Sequence, residues 1–423
     1  MAATQILMGM VRLAYNLLWV LALPFLALSP RLRQGWMQRC GWSLPRHCDI
    51  WIQGASAGEC ALIATLLDHP HLKHPQHDAP LRILATTCTA QGLGLLHTTR
   101  PDISLVSRYL PFDMPLLMRW AIRRVAPKVM VLVETELWPG LLMACARCAV
   151  PVVIINARMS TTSLARYLAL GPLLRTVAPA QIAAIAARDA ARFGLVFGST
   201  PVQVSGNMKF DRAAHSMETS GANPLHSLVP EQVPFIVLGS VRQEEEDLVL
   251  ALMRQVRALC PSCVLGLFPR HMDRCAPWAS RLAALGWTVR CSSAQKTSVR
   301  PGDILLGDRF GELGFAYALA HRAFVGGSLA NLGGQNFLEP LGYGVQPVVG
   351  PYTGNFAWVG QDIFASLVVR SADVQDMARI LTSPAPARDQ ILGQTQDYLR
   401  HRQGATPTHC ALLMRFLTED SRA

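Results

Sequence analysis

The sequence predicts an α/β protein of two Rossmann-like domains, each a parallel sheet covered by helices on both faces, with one hydrophobic helix ahead of them. Three observations predict it. From Asp49 onward, short and almost wholly apolar runs alternate with helical stretches, and glycine, serine or asparagine follows each run. A stretch rich in Ser, Asn, Pro and His, Arg212 to Val233, interrupts that alternation once, near the middle of the chain. The length of 423 residues fits two domains of about 200 residues each. Strands that are apolar at nearly every position are buried on both faces, as in the parallel sheets of α/β folds.

The chain opens with ILMGMVRLAYNLLWVLALPFLAL, Ile6 to Leu28, which is long and apolar enough to span a bilayer but is broken by Arg12, Asn16 and Pro24. No small-residue cleavage site comes after it, and Arg31, Arg33 and Arg39 are next. Residues 1–30 therefore read as a retained membrane anchor, with the arginines placing the two domains on the cytoplasmic side. Crossing the bilayer and lying in its interface are both open, because of Arg12 and Asn16. A helix packed on the soluble body is the plain alternative.

The first domain, residues 31–211, takes its strands from IWIQ, RILATT, SLVSRYL, VMVLVE, PVVIIN, IAAIAA and VQVSG. Residues 212–233 are the hinge. The second domain, residues 234–423, takes PFIVLGS, CVLGLFP, WTVRC, DILLG, RAFVGG and QPVVG as strands, with helices over Glu244–Leu259, Asp273–Leu285, Glu312–Ala320 and Asn336–Gly344. The helices from Arg388 onward are assigned to it and carry no legible chemistry. Ligands of open parallel sheets bind beyond the carboxyl ends of strands, where Ser240, Pro269-Arg270, Gly311-Glu312 and Gly326-Gly327 fall.

Charge and composition narrow the partners. A net charge of +11 favours an anionic partner, yet few aromatics interleave with the basic residues and no nucleic-acid motif appears. A membrane surface and phosphate groups are expected, not nucleic acid. The eleven cysteines are odd in number and scattered through apolar segments, which suits a reduced cytosolic compartment. Cys145/Cys148 and Cys260/Cys263 have CxxC spacing but fall in different halves, so a shared zinc site is not expected. His69, His71, His74 and His77 lie in a polar, proline-broken stretch and read as a solvated loop.

Four motifs carry chemistry. In FVGGSLANLGGQNFLEPLGYGVQPVVGP, Phe324 to Pro351, Asn336 and Glu339 have the spacing of a helix N-cap and its returning carboxylate, and Pro340 falls in the first turn. Free N–H groups above a glycine floor suit a nucleotide phosphate, although capping and a tight turn explain the same residues. WIQGASAGE places Glu59 near a helix start, as a general base or a dipole-favoured carboxylate. ETELWPG ends an apolar strand with two carboxylates, and GNMKFD puts Lys209 just before the hinge. A structural ion pair and a charge-stabilising pair are both open for these.

The ordered set WIQGASAGE, ETELWPG, INARMS, VSGNMKFD, FPRH, GDRFGELGFAYALAHRAFVGGSL, GGQNFLEP and GPYTGNF, with the apolar N-terminus, resembles the 3-deoxy-D-manno-octulosonic acid (Kdo) transferases. These are family 30 glycosyltransferases of the GT-B class, whose two Rossmann-like domains face across a cleft. The resemblance covers nearly the whole chain. It implies CMP-Kdo as donor, a phosphorylated lipid A precursor as acceptor, inversion at the anomeric centre, and work at the cytoplasmic face of the bacterial inner membrane. By the same resemblance Glu59 matches the general base, and Glu134 and Lys209 match transition-state stabilisers. The CMP contacts fall on Pro269, Arg270, Phe310, Gly311, Glu312, Asn336, Phe337, Leu338 and Glu339. Neither a cofactor nor a metal is expected, since no Asp-x-Asp motif appears and an arginine with a helix N-terminus can stand in for a cation. The run after Ser240 and Gln335 depart from the family, which often carries histidines there, so Arg242 and Gln335 are what remains to hydrogen-bond an anion. The alternatives are a GT-B transferase using another nucleotide sugar, a nucleotide-sugar epimerase of the same fold, and a non-catalytic nucleotide-sensing membrane protein.

Overall fold

The computed structural model describes residues 2–73, 80–99, 103–215, 223–295 and 297–419. His74 and His77 of the expected loop, and residues 216–222 of the expected hinge, lie outside the described residues. The chain forms two units, Met1–Arg212 together with Arg402–Ala423, and Ala213–His401.

In the first unit seven parallel strands lie in the order β3-β2-β1-β4-β5-β6-β7. They are β1 (Ile50–Gln53), β2 (Arg82–Thr87), β3 (Ser104–Tyr109), β4 (Val129–Val133), β5 (Val152–Ala157), β6 (Gln181–Ala184) and β7 (Val202–Val204). Every residue of β1, β4 and β5 is buried. Side chains alternate between the faces of a sheet, so these strands feed two cores. Trp51, Met130 and Ile154 enter one, and Ile52, Val131 and Val153 enter the other. Helices cover both faces, among them α1 (Ala2–Leu28), α2 (Ala57–Leu67), α3 (Pro115–Val125), α4 (Pro139–Arg147) and α5 (Met208–His215). Chain order reverses between β1 and β4, the switch point at which open sheets of this kind leave a crevice.

The second unit repeats the design with the order β10-β11-β9-β8-β12-β13-β14. Its strands are β8 (Phe235–Val241), β9 (Val264–Pro269), β10 (Val289–Cys291), β11 (Ile304–Leu306), β12 (Arg322–Val325), β13 (Pro347–Val349) and β14 (Val369–Arg370). The reversal falls between β8 and β12. Helices α6 (Glu312–Leu319) and α7 (Leu338–Gly342) stand beside its strand-end loops. The two-residue β14, at the end of the short apolar run Leu367–Val369, is not among the expected strands.

The chain end corrects the expected domain boundary. Helix α8 (Ala405–Glu419), expected with the second domain, belongs to the first unit. Its Cys410, Leu413 and Leu417 share a core with Ile50, Ile52 and Leu66. The return is fastened by Asp211, whose carboxylate accepts hydrogen bonds from the backbone N–H groups of Gly404 and Thr406, each at 2.7 Å. Buried His409 accepts from the Asn156 N–H at 3.2 Å, and burial lowers its pKa to about 4, so it stays neutral at pH 7. The CxxC pairs lie in separate units, and all eleven cysteines are free thiols. Replacing fully buried Leu413 with alanine should destabilise the first unit by about 2 to 5 kcal/mol. Amide hydrogen exchange would show faster opening of β1 and β4 with the second unit unchanged; the reverse pattern would contradict this docking.

Candidate active site

The residues after β1 and β4 meet at the first unit's switch point. Beyond Gln53 the chain turns through Gly54, where an added Cβ would sit 2.9 Å from that of Glu59, so only glycine lets α2 come this close. Ser56 caps α2, and the capping box closes. The Glu59 N–H donates to Ser56 Oγ at 3.4 Å, and the Ser56 N–H donates to Glu59 Oε2 at 2.7 Å. Burial raises the Glu59 pKa and the nearby Glu134 charge adds to it, while hydrogen bonds from Ser56 and Ala55 pull the other way. The capping and base readings of this residue thus share one carboxylate.

Glu134 follows β4 directly. It is 4% exposed and its φ of +62° is left-handed, an uncommon state for a non-glycine residue. Its N–H still donates to Ile155 O at 3.0 Å, so the sheet holds it in register. Lys209 Nζ lies 2.9 Å from its Oε1, and Arg158 Nε 2.6 Å from its Oε2. Lys209 comes from α5 and Arg158 from just past β5, so three elements are joined through one carboxylate. Two residues on, Glu136 accepts a hydrogen bond from Trp138 Nε1 at 2.6 Å. Burial first, and Glu59 second, push the Glu136 carboxyl up to about 7. Three carboxylates, one lysine and one arginine therefore share a small space, and a proton enters or leaves it near neutrality.

At the second unit's switch point a carboxylate is held by backbone instead. Glu245, 1% exposed, accepts from the N–H groups of Arg242 at 3.0 Å, Gly327 at 2.5 Å and Leu329 at 3.1 Å. A Cβ on Gly326 would stand 2.5 Å from Glu245 Oε1 and 2.6 Å from Ser240 O, which explains the first glycine of the pair. Asn355 Nδ2 donates to the carbonyls of Leu332 and Gly334 at 3.1 and 3.3 Å, shaping the loop that leads to α7.

The expected capping box at this loop does not form. Asn336 Oδ1 accepts from the Leu338 N–H at 3.2 Å, α7 begins at Leu338, and Phe337 occupies the N-cap without a side-chain bond. Glu339 turns elsewhere: a Cβ added at Gly314 of α6 would lie 3.5 Å from its Oε1, and burial raises its pKa while the positive charge of Arg270 lowers it. Arg270 follows Pro269 at the end of β9 and is exposed. Its backbone N–H donates to Val241 O at 2.8 Å, while its guanidinium makes no hydrogen bond or ion pair among the described residues. Phe337 is fully buried against Phe356 and Phe364, with ring centroids 4.7 and 5.7 Å away. Leu338 is buried too. The side chains of this pair are buried, whereas Asn336 is exposed. Phe310 is 90% exposed, Gly311 has φ +90°, and buried Glu312 accepts from Ser292 Oγ at 2.5 Å. A cavity of about 260 Å³, lined by Gly333, Tyr352, Thr353 and Phe356 among others, adjoins the loop. Arg242 is paired with Glu244 at 3.1 Å.

The structure thus places Glu59 near the Glu134–Lys209 ion pair in the first unit, and both Arg270 and Glu339 in the second. Sequence reasoning assigned no role to Arg158, Glu245 or Ser292, because their partners are distant in sequence. Glu136 was visible as the second acid of its strand end, but its proximity to Glu59 was not.

These two sheets, with their reversals and strand-end loops, define a GT-B fold. Solved structures agree on the fold. A UDP-GlcNAc 2-epimerase from Neisseria meningitidis aligns with a TM-score of 0.54 at 11% identity, covering 88% of this chain and 100% of that one. A glycosyltransferase from Rickettsia africae aligns with a TM-score of 0.53 at 10% identity, covering 88% and 99%. An epimerase and a transferase share this architecture, so fold does not choose between them. Sequence does. The family described as 3-Deoxy-D-manno-octulosonic-acid transferase (kdotransferase) matches residues 34–212. The 3-deoxy-D-manno-octulosonic acid transferase of Haemophilus influenzae is 34% identical over 80% of this chain and 79% of its own. The chain belongs to the Kdo transferase family.

Glu245→Ala would strand the buried N–H groups of Gly327 and Leu329 and the part-buried one of Arg242, and should destabilise the second unit by about 3 to 5 kcal/mol. Hydrogen exchange at Gly327 and Leu329 reads it directly. Unchanged protection there would contradict the role given to this carboxylate.

Proposed function

We propose that the chain transfers Kdo from CMP-Kdo to a phosphorylated lipid A precursor, with inversion and without a metal ion. The observation that carries the mechanism is Glu59, a half-buried carboxylate with a raised pKa beside the Glu134–Lys209–Arg158 ion cluster. Family membership supports the sugar and the donor.

Glu59 removes the proton from the acceptor hydroxyl as that oxygen attacks the anomeric carbon of Kdo. The bond from that carbon to the CMP phosphate oxygen breaks, and its electron pair leaves with CMP. A base of raised pKa suits this step, because proton transfer is most effective when the catalytic pKa lies near the working pH. Lys209 and Glu134 stabilise the transition state: the lysine offers positive charge to the departing anion, and the ion pair keeps it in place. In the second unit Arg270 takes the phosphate, as a planar guanidinium without a hydrogen-bonded partner among the described residues is free to do. The N–H groups of Asn336 and Phe337 assist as individual donors, that of Leu338 being taken by Asn336 Oδ1. A helix of five residues contributes little dipole, so those donors act through direct hydrogen bonds. Glu339 and Glu312 accept from the ribose and base, while Pro269, Phe310 and Gly311 shape the nucleotide site. The positive charge of Arg270 takes the place of a divalent cation. Helix α1 holds the enzyme at the cytoplasmic face of the inner membrane, where its lipid acceptor lies.

Mass spectrometry of a reaction containing CMP-Kdo generated in place, a tetraacylated lipid A precursor and excess chelator tests this. The wild type should add Kdo and Glu59→Ala should lose about 10²-fold or more of the rate. Full activity in Glu59→Ala would move the base elsewhere, and loss of activity in chelator would restore a metal. The pH profile gives a second check. Glu59 must be ionised to act, and its pKa is raised, so kcat/KM should fall with acid at a pH above the ordinary carboxylate value of ~4.3. An acid limb at or below that value would contradict the assignment.

A further inference from the structure

Helix α1 is divided lengthwise. Met8 is buried in the first unit's core, and Tyr15, Asn16 and Trp19 come after it on the same face. Tyr15 Oη donates to Asp113 Oδ2 at 3.0 Å, the Leu116 N–H donates to Asn16 Oδ1 at 3.1 Å, and the Trp19 ring lies 5.7 Å from that of Phe112. The opposite face carries Leu13, Leu17, Leu21, Phe25 and Leu28, each more than half exposed. Arg12 and Asn16, which marred the hydrophobic run in the sequence, therefore face protein, and the outer face from Met10 to Leu28 is apolar.

The apolar surface continues past α1. Leu116, 62% exposed, begins α3 beside Asn16, and Trp120, 46% exposed, stands one turn further along. Gly41 packs on the Trp120 ring, where an added Cβ would be only 2.6 Å from Cζ3, and the next residue is Trp42 at 65% exposure. Arginines border this surface. Arg124 lies over the Trp120 ring at 5.7 Å, with Arg119 and Arg123 on the same helix. Arg12 sits at the seam with its Nε buried and unbonded; burial, then Arg147 and Arg119, lower its pKa. Arginines of like sign match anionic head groups.

We infer that α1 lies in the plane of the membrane rather than across it, and that Leu116, Trp120 and Trp42 form a second membrane contact beside it, ringed by arginines that meet anionic lipid. This deepens the reading of a membrane-anchored enzyme and rests on it for the presence of a bilayer. The geometry supplies the reason. Contacts from Met8 to Trp19 hold roughly 16 Å of helix against the first unit, about half the thickness of the hydrocarbon layer. If α1 crossed the bilayer in this arrangement, Arg119 and Arg123 would enter hydrocarbon, at about 2.5 to 3.5 kcal/mol each near its centre. Lying flat, the helix buries Leu17, Leu21 and Phe25 among acyl chains, while tryptophan and arginine take the interfacial positions that suit them.

Protease access to an N-terminal epitope on the full chain distinguishes the two orientations. In bacterial spheroplasts the epitope should survive, and in inverted inner-membrane vesicles it should be removed. Digestion in spheroplasts would overturn the in-plane placement, because a crossing helix leaves the N-terminus on the far side. For the second contact, the double variant Trp42→Ser/Leu116→Ser changes two exposed side chains. It should bind vesicles of phosphatidylglycerol and phosphatidylcholine about tenfold more weakly than the wild type, with CMP affinity unchanged. Equal vesicle binding by variant and wild type would overturn it, as would wild-type binding that is the same on pure phosphatidylcholine. Neither readout requires sugar transfer, so an inactive enzyme with these outcomes would fault the functional reading and leave the membrane geometry standing.

Discussion

Glu134 is the constraint on which the first unit's chemistry depends. A carboxylate buried at the end of an apolar strand is costly unless opposite charge meets it, and removing one partner of such a pair is worse than never having had it. Here the partners are Arg158 and Lys209, brought from beyond β5 and from α5. The left-handed backbone at Glu134 costs a further 1 to 3 kcal/mol or so, a kind of strain that persists only where the surroundings overdetermine it. The ends of β4 and β5 and the start of α5 are thereby fixed relative to one another, and Lys209 is fixed against Glu134.

The second unit meets the same problem by other means. Glu245 is as deeply buried as Glu134, yet it is answered by three backbone N–H groups. That choice suits its task, since backbone donors cannot swing away and the glycine-rich loop they belong to is held still. Charged side chains at Glu134 suit a place where, in the proposed reaction, charge develops, and a static cradle at Glu245 suits a loop that must keep its shape. Both carboxylates lie at the reversal in strand order of their own sheet.

The sheets were legible because strands such as VMVLV and VVIIN are apolar at nearly every position and need two covered faces. Legibility ended where a partner lay far along the chain. Helix α8 carries its apolar face into a core whose strands lie more than two hundred residues earlier, and no local pattern says which sheet it joins. Asn336 and Glu339 had the spacing of a capping box, but the helix begins only at Leu338 and the box does not close. Ser56 and Glu59 have the same spacing, and there it does close. Glu59 and Glu134 were legible from their strand-end positions, whereas the proximity of Glu59 to Glu136 depends on β1 and β4 being neighbours, which topology alone decides.

The central claim is that Glu59, poised by its charged neighbours, drives a single displacement at the anomeric carbon. The stereochemistry of the product tests that claim most directly. Nuclear magnetic resonance of the newly formed Kdo linkage, compared with the donor, should show the opposite anomeric configuration. Retention of the donor's configuration would mean two successive displacements through a covalent intermediate, and would contradict the role assigned to Glu59.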